Sequence, residues 1–83
     1  MLEIKILGTG CPNCSKLESE TKKAVQNLAI DAEFEKVTDF KKIMEYDVLS
    51  TPGLVINGEV VSSGRIPSQA ELTSYLTSAI TGG

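Results

Sequence analysis

Cys11-Pro12-Asn13-Cys14 holds the chain's only two cysteines, two residues apart. A structural disulfide rarely joins residues so close, because closing so small a ring removes little entropy from the unfolded chain. The spacing suits chemistry better: one thiol attacks a substrate, and the other reaches back to release the product. Thiolate pairs at this spacing also hold zinc or copper, so a metal-binding or metal-transfer protein is the alternative. The chain offers no third cysteine and no histidine to complete a zinc shell.

The elements around the pair are legible from periodicity. Leu2 to Leu7 alternates apolar and charged residues, with Leu2, Ile4 and Ile6 on one face, which predicts a strand. Gly8-Thr9-Gly10 breaks it, and Pro12 suits the first turn of a helix, where its missing N–H is not needed. Cys14, Leu17, Thr21, Ala24, Val25 and Leu28 then recur at helical spacing. Glu18 and Lys22 lie four apart on the other face and can pair weakly. This predicts an amphipathic helix from Pro12 to about Leu28, with Cys11 at its N-terminus. Unpaired backbone N–H groups and the positive end of the macrodipole favour a thiolate there. Cys11 is therefore the expected nucleophile. Cys14, one turn in, is expected to be less accessible and to resolve the mixed disulfide.

Asp31 to Val37 alternates again and predicts a second strand. Thr38 or Asp39 caps a short helix whose buried side is expected to be Phe40, Ile43 and Met44. Residues 47–52 form a loop ended by Pro52. A brief strand, Leu54-Val55-Ile56, meets Asn57-Gly58, the strongest hairpin signal in the sequence, and Glu59 to Ser63 returns. Ser68-Gln69-Ala70-Glu71 has the capping-box form and opens a last helix. Its inward positions are Leu72, Leu76 and either Tyr75 or Ala79, and Thr81-Gly82-Gly83 is expected to fray. The class is α/β, in the order strand, helix, strand, helix, strand, strand, helix. The first two strands can run parallel through a right-handed crossover, and the last two form an antiparallel hairpin. A mixed four-stranded sheet with helices on both faces follows. Residues 1–83 read as one domain.

Composition narrows the function. Hydrophobic content of 41% and charged content of 23% fit a globular chain. A net charge of −3 without a basic cluster argues against nucleic acid. Lys22-Lys23 and Lys41-Lys42 read as solvated helix faces, and Arg65 as a solvated surface cation. Phe34, Phe40 and Tyr46 read as packing residues. The apolar runs are too short for a membrane span, and Met1 leads directly into the first strand without a secretory pattern. Two cysteines without an export signal suggest a reducing cytosol. A monomer is expected.

The chain resembles the thioredoxin-like superfamily in its minimal, glutaredoxin-sized βαβαββα form, with three helices flanking the sheet. Three features carry the resemblance: the strand leading into Cys11-Pro12-Asn13-Cys14 at a helix start, Ser50-Thr51-Pro52 before the third strand, and the run from Tyr46 through Val48 to Asn57-Gly58-Glu59. It is most similar to short archaeal and bacterial members called redox-active disulfide proteins. The resemblance implies a thiol–disulfide oxidoreductase, with Cys11 and Cys14 catalytic and Pro12 and Asn13 as the active-site loop. It implies no cofactor beyond the redox-active Cys11–Cys14 disulfide. Disulfide-containing substrate proteins and a reductase would be its partners in the cytoplasm. It also implies a cis Thr51-Pro52 bond that brings Thr51 beside the cysteines, with backbone groups that pair with an extended substrate segment. Where glutaredoxins carry a paired glycine and an acidic residue that hold glutathione, this chain has Ser63-Gly64-Arg65-Ile66-Pro67. No tryptophan precedes Cys11.

Overall fold

Alternation sets the sheet. In β1 (Leu2–Leu7) the apolar positions Leu2, Ile4 and Ile6 are buried while Glu3 is exposed. A computed structural model describes residues 2–8, 12–48 and 50–80. The expected nucleophile Cys11 and the expected frayed end Thr81-Gly82-Gly83 lie outside the described residues. The remaining elements are α1 (Pro12–Leu28), β2 (Ala32–Val37), α2 (Phe40–Glu45), β3 (Gly53–Ile56), β4 (Glu59–Ser63) and α3 (Gln69–Ile80).

The strand order is β2-β1-β3-β4. β1 and β2 run parallel, with Leu2 opposite Ala32 and Leu7 opposite Val37. This is the arrangement a helical crossover permits. β3 lies antiparallel to β1 on its other side, with Ile4 opposite Ile56 and Leu7 opposite Gly53. β3 and β4 form the antiparallel hairpin. Asn57 (φ 52°) and Gly58 (φ 83°) supply the two left-handed residues its tight turn requires. Asn57 also fastens the hairpin to β1, since its Oδ1 accepts from the Glu3 N–H at 3.0 Å.

Two cores sit on opposite faces of the sheet. On one face Leu2, Ile4, Ile6, Leu54 and Ile56 pack with Leu17, Ala24 and Val25 of α1 and Leu72 and Leu76 of α3. On the other, Leu7, Val37 and Val55 pack with Ile43 of α2 and Val48, flanked by Tyr46 and Val60. The helices therefore cover both faces, as the element order implied.

The expectation that Phe40 and Met44 are buried is corrected. They are 67% and 51% exposed, and Ile43 alone of the trio is buried. α2 has only 6 residues, so it presents a single position to the sheet. Ile43 takes that position, Val48 and Tyr46 fill the space beside it, and the Phe40–Met44 stripe turns outward. Asp39 is the N-cap, its carboxylate accepting from the Lys41 N–H at 2.9 Å.

Candidate active site

α1 positions Cys14. Pro12 and Asn13 occupy its exposed first turn, and Cys14 follows on the inward side, 7% exposed. Cys14 is disulfide-bonded. One turn on, Leu17 anchors the helix in the core, and the buried Thr21 hydroxyl donates to the Leu17 carbonyl at 2.7 Å. The hydroxyl is thus satisfied without leaving the helix.

Gly8, just past β1, lies so close that a Cβ there would collide with Cys14 Sγ and stand 3.3 Å from Cys14 Cβ. The same Cβ would be 4.0 Å from the Cβ of Thr51. The Thr51-Pro52 peptide bond is cis, with Thr51 exposed and Pro52 buried. The Pro52 carbonyl accepts from the Gly64 N–H at 2.9 Å, which holds this loop against the end of β4. The end of β1 thus lies against the Cys14 sulfur, and Thr51 of the loop before β3 lies near Gly8.

A cavity of about 30 Å³ opens beside it, lined by Ile6, Gly8, Cys14, Ser15, Lys36 and Thr38. That is room for about one water. The sequence reading did not place Lys36 or Thr38 here. The signal was the parallel register, which sets Lys36 opposite Ile6, and periodicity alone does not give a register. Lys36 Nζ is held 3.1 Å from Glu18 Oε1, and Glu18 also pairs with Lys22 at 3.6 Å. A wider groove of about 410 Å³, lined by Glu3, Ile4, Lys5, Glu33, Phe34 and Glu35, contains none of the expected site residues. On that side Lys5 Nζ donates to the Tyr46 hydroxyl at 3.3 Å. This bond raises the Lys5 pKa above its ordinary value.

Arg65 is the exposed surface cation the sequence suggested, and it is paired with Glu71. Its Nη1 and Nη2 donate to Glu71 Oε1 and Oε2 at 3.1 and 2.5 Å, a two-pronged pairing suited to the guanidinium fork. Glu71 Oε1 also accepts from the Ser68 N–H at 3.2 Å, and the Glu71 N–H donates to Ser68 Oγ at 3.2 Å. The capping box is therefore complete and has recruited an arginine. The Arg65 hydrogen bond, reinforced by the Ser68 N–H, holds the Glu71 carboxyl down at about 2.

The folded carboxyl is depressed, so its contribution to stability is full above about pH 4.5. It is lost as the pH falls toward about 2. Glu71→Gln is expected to flatten this part of the acid limb when thermal midpoints are compared between pH 5 and pH 2. An acid limb identical to wild type would show that the cluster contributes nothing.

A small mixed sheet with a buried, bridged cysteine in the first turn of α1 and a cis X-Pro bond beside it defines the class: a thiol–disulfide oxidoreductase. The chain matches the family model described as a thioredoxin domain over residues 2–77, and it belongs to that family. It is 43% identical over 77 residues to a thioredoxin of Methanothermobacter thermautotrophicus, covering 93% of this chain and 100% of that one. It is 45% identical over 82 residues to a thioredoxin of Methanocaldococcus jannaschii, covering 99% of this chain and 94% of that one. Among solved structures it is similar to glutaredoxin 1 from Francisella tularensis complexed with cacodylate, at 18% identity and a TM-score of 0.46, covering 98% of this chain and 99% of that one.

Proposed function

We propose that Cys11 and Cys14 form a dithiol that reduces disulfides of proteins or small molecules. The Cys11 thiolate attacks one sulfur of the substrate. The substrate S–S bond breaks, and the first half leaves as a thiolate that takes up a proton. Cys14 then loses its proton and attacks the Cys11 sulfur of the mixed disulfide. The Cys11–Cys14 bond forms and the second half of the substrate leaves. Two electrons pass from the dithiol to the substrate, and a reductase returns them.

The observation that carries this reading is the environment of Cys14: bridged, buried and seated in the first turn of α1. Cys11 is the chain's only other cysteine. The exposed first-turn residues Pro12 and Asn13 serve as the loop between the sulfurs, and Pro12 limits their separation. Thr51 and Pro52, joined by a cis bond, present backbone to an extended substrate segment; the Thr51 Cβ lying 4.0 Å from where a Gly8 Cβ would stand supports this reading. The Arg65–Glu71 pairing supports a protein client over glutathione, because it engages the guanidinium that would otherwise meet a carboxylate.

We further propose that residues 1–83 act as one unit, as a monomer in the cytoplasm. No described helix is long and apolar enough to cross a membrane. The rival reading is metal binding through the same pair. The described residues gather no group of three or more His, Cys, Asp or Glu.

The test is turnover of insulin or a model disulfide with dithiothreitol as donor, beside metal analysis of the purified chain. Catalysis lost in Cys11→Ser is the expected result. Stoichiometric zinc or copper with no turnover would replace this reading by the rival one.

A further inference from the structure

The Cys14 sulfur rests on a residue that neither the motif nor the family match singles out. Gly8 is buried, and its N–H donates to the Val37 carbonyl at 3.0 Å. That bond ties the end of β1 to the last residue of β2 and keeps the Gly8 backbone from drawing back. A Cβ at this position would overlap Cys14 Sγ and stand 3.3 Å from Cys14 Cβ. Unbonded carbons prefer roughly 3.5–4.0 Å. The added carbon would also lie 4.0 Å from the Thr51 Cβ, an ordinary van der Waals contact.

We infer that Gly8 is a positioning residue of the redox pair. Its bare Cα is the seat that Cys14 Sγ occupies in the bridged state, and any side chain there disfavours the bridge relative to the dithiol. The inference rests on the dithiol reading above.

The selectivity for one redox state has a physical reason. In the reduced chain Cys14 has a rotatable side chain, and its sulfur can leave a crowded position by changing rotamer. In the bridged chain that sulfur is covalently tied and cannot. A methyl group at position 8 therefore overpacks the oxidised state more than the reduced one. Overpacking of a buried site typically costs enough to move an equilibrium on the order of tenfold or more.

The experiment compares wild type with Gly8→Ala in a dithiothreitol redox buffer, reading the fraction of bridged chain by mass after acid quench and alkylation. The expected result is a dithiol-to-disulfide ratio raised on the order of tenfold or more in Gly8→Ala at equal buffer poise. The companion measurement makes the same substitution in a Cys14→Ala background, where no Sγ is present. There Gly8→Ala is expected to lower the thermal midpoint much less than it does in the oxidised wild type.

Bridged fractions equal within about twofold, or an equal loss of midpoint in both backgrounds, would overturn the inference. If Gly8→Ala alone does not fold, folding of Gly8→Ala with Cys14→Ala supports the contact, and failure of both overturns it. A wild-type chain unable to cycle sinks the dithiol reading, and this inference with it. A wild type that cycles beside an indifferent Gly8→Ala sinks this inference alone.

Discussion

A Cys14→Ser chain is expected to accumulate covalent complexes with its substrates and to lose turnover on the order of 100-fold or more. The reason is the difference between an attack within one molecule and an attack by a solution thiol. A thiol one helical turn from the mixed disulfide acts at a very high effective concentration, on the order of 10⁵ M or above when well aligned. External dithiol must replace it by collision. Serine keeps the size of the side chain and removes the nucleophile, so the first step survives and the second stalls. Non-reducing electrophoresis should show a complex that dithiothreitol dissolves. Cys11→Ser should show none. A complex formed equally well by Cys11→Ser would reverse the assigned roles, and no complex with a reactive model disulfide would end the two-step scheme.

Leu17→Ala should cost about 2–5 kcal/mol of stability. Leu17 is fully buried and belongs to the core that joins β1 and β3 to α1 and α3. Truncating it opens a cavity beneath the turn that carries Cys14. For 83 residues the whole stability is roughly 4–12 kcal/mol, so one truncation removes a large share. Urea denaturation should report it as a lower midpoint with an unchanged slope. Phe40→Ala and Met44→Ala provide the contrast. Both side chains are more than half exposed, and their cost should stay within about 0.5 kcal/mol. A Leu17→Ala chain as stable as these two would mean that α1 is held by something other than this core.

Most of the architecture was legible because it follows from period and punctuation. The alternation in Leu2–Leu7, the helical spacing from Cys14 to Leu28 and the Asn57-Gly58 turn each specify a local geometry, and all of them appear. The sequence reading failed where geometry between elements decides the outcome. Phe40 and Met44 are apolar, but the roll of a 6-residue helix is set by the sheet it meets. The pairing of Arg65 with Glu71 was not legible, because the fold of residues 65–71 brings the guanidinium to a carboxylate that also serves the capping box. The cis Thr51-Pro52 bond came from family resemblance, since residue type alone predicts the trans form. Gly8 looked like a strand breaker. Its contact with Cys14 depends on how the first strand and helix converge, and no spacing encodes that.

The outer strands have a consequence for many copies in one solution. The ladder order leaves β2 and β4 as its rims. β2 carries exposed Glu33, Glu35 and Lys36. β4 carries exposed Glu59 and Ser63 and an irregular step opposite Leu54 and Val55. Fixed charge and a broken hydrogen-bond rhythm are poor templates for an incoming sister strand. Such edges guard the chain against zipping onto its own kind and growing into fibrils.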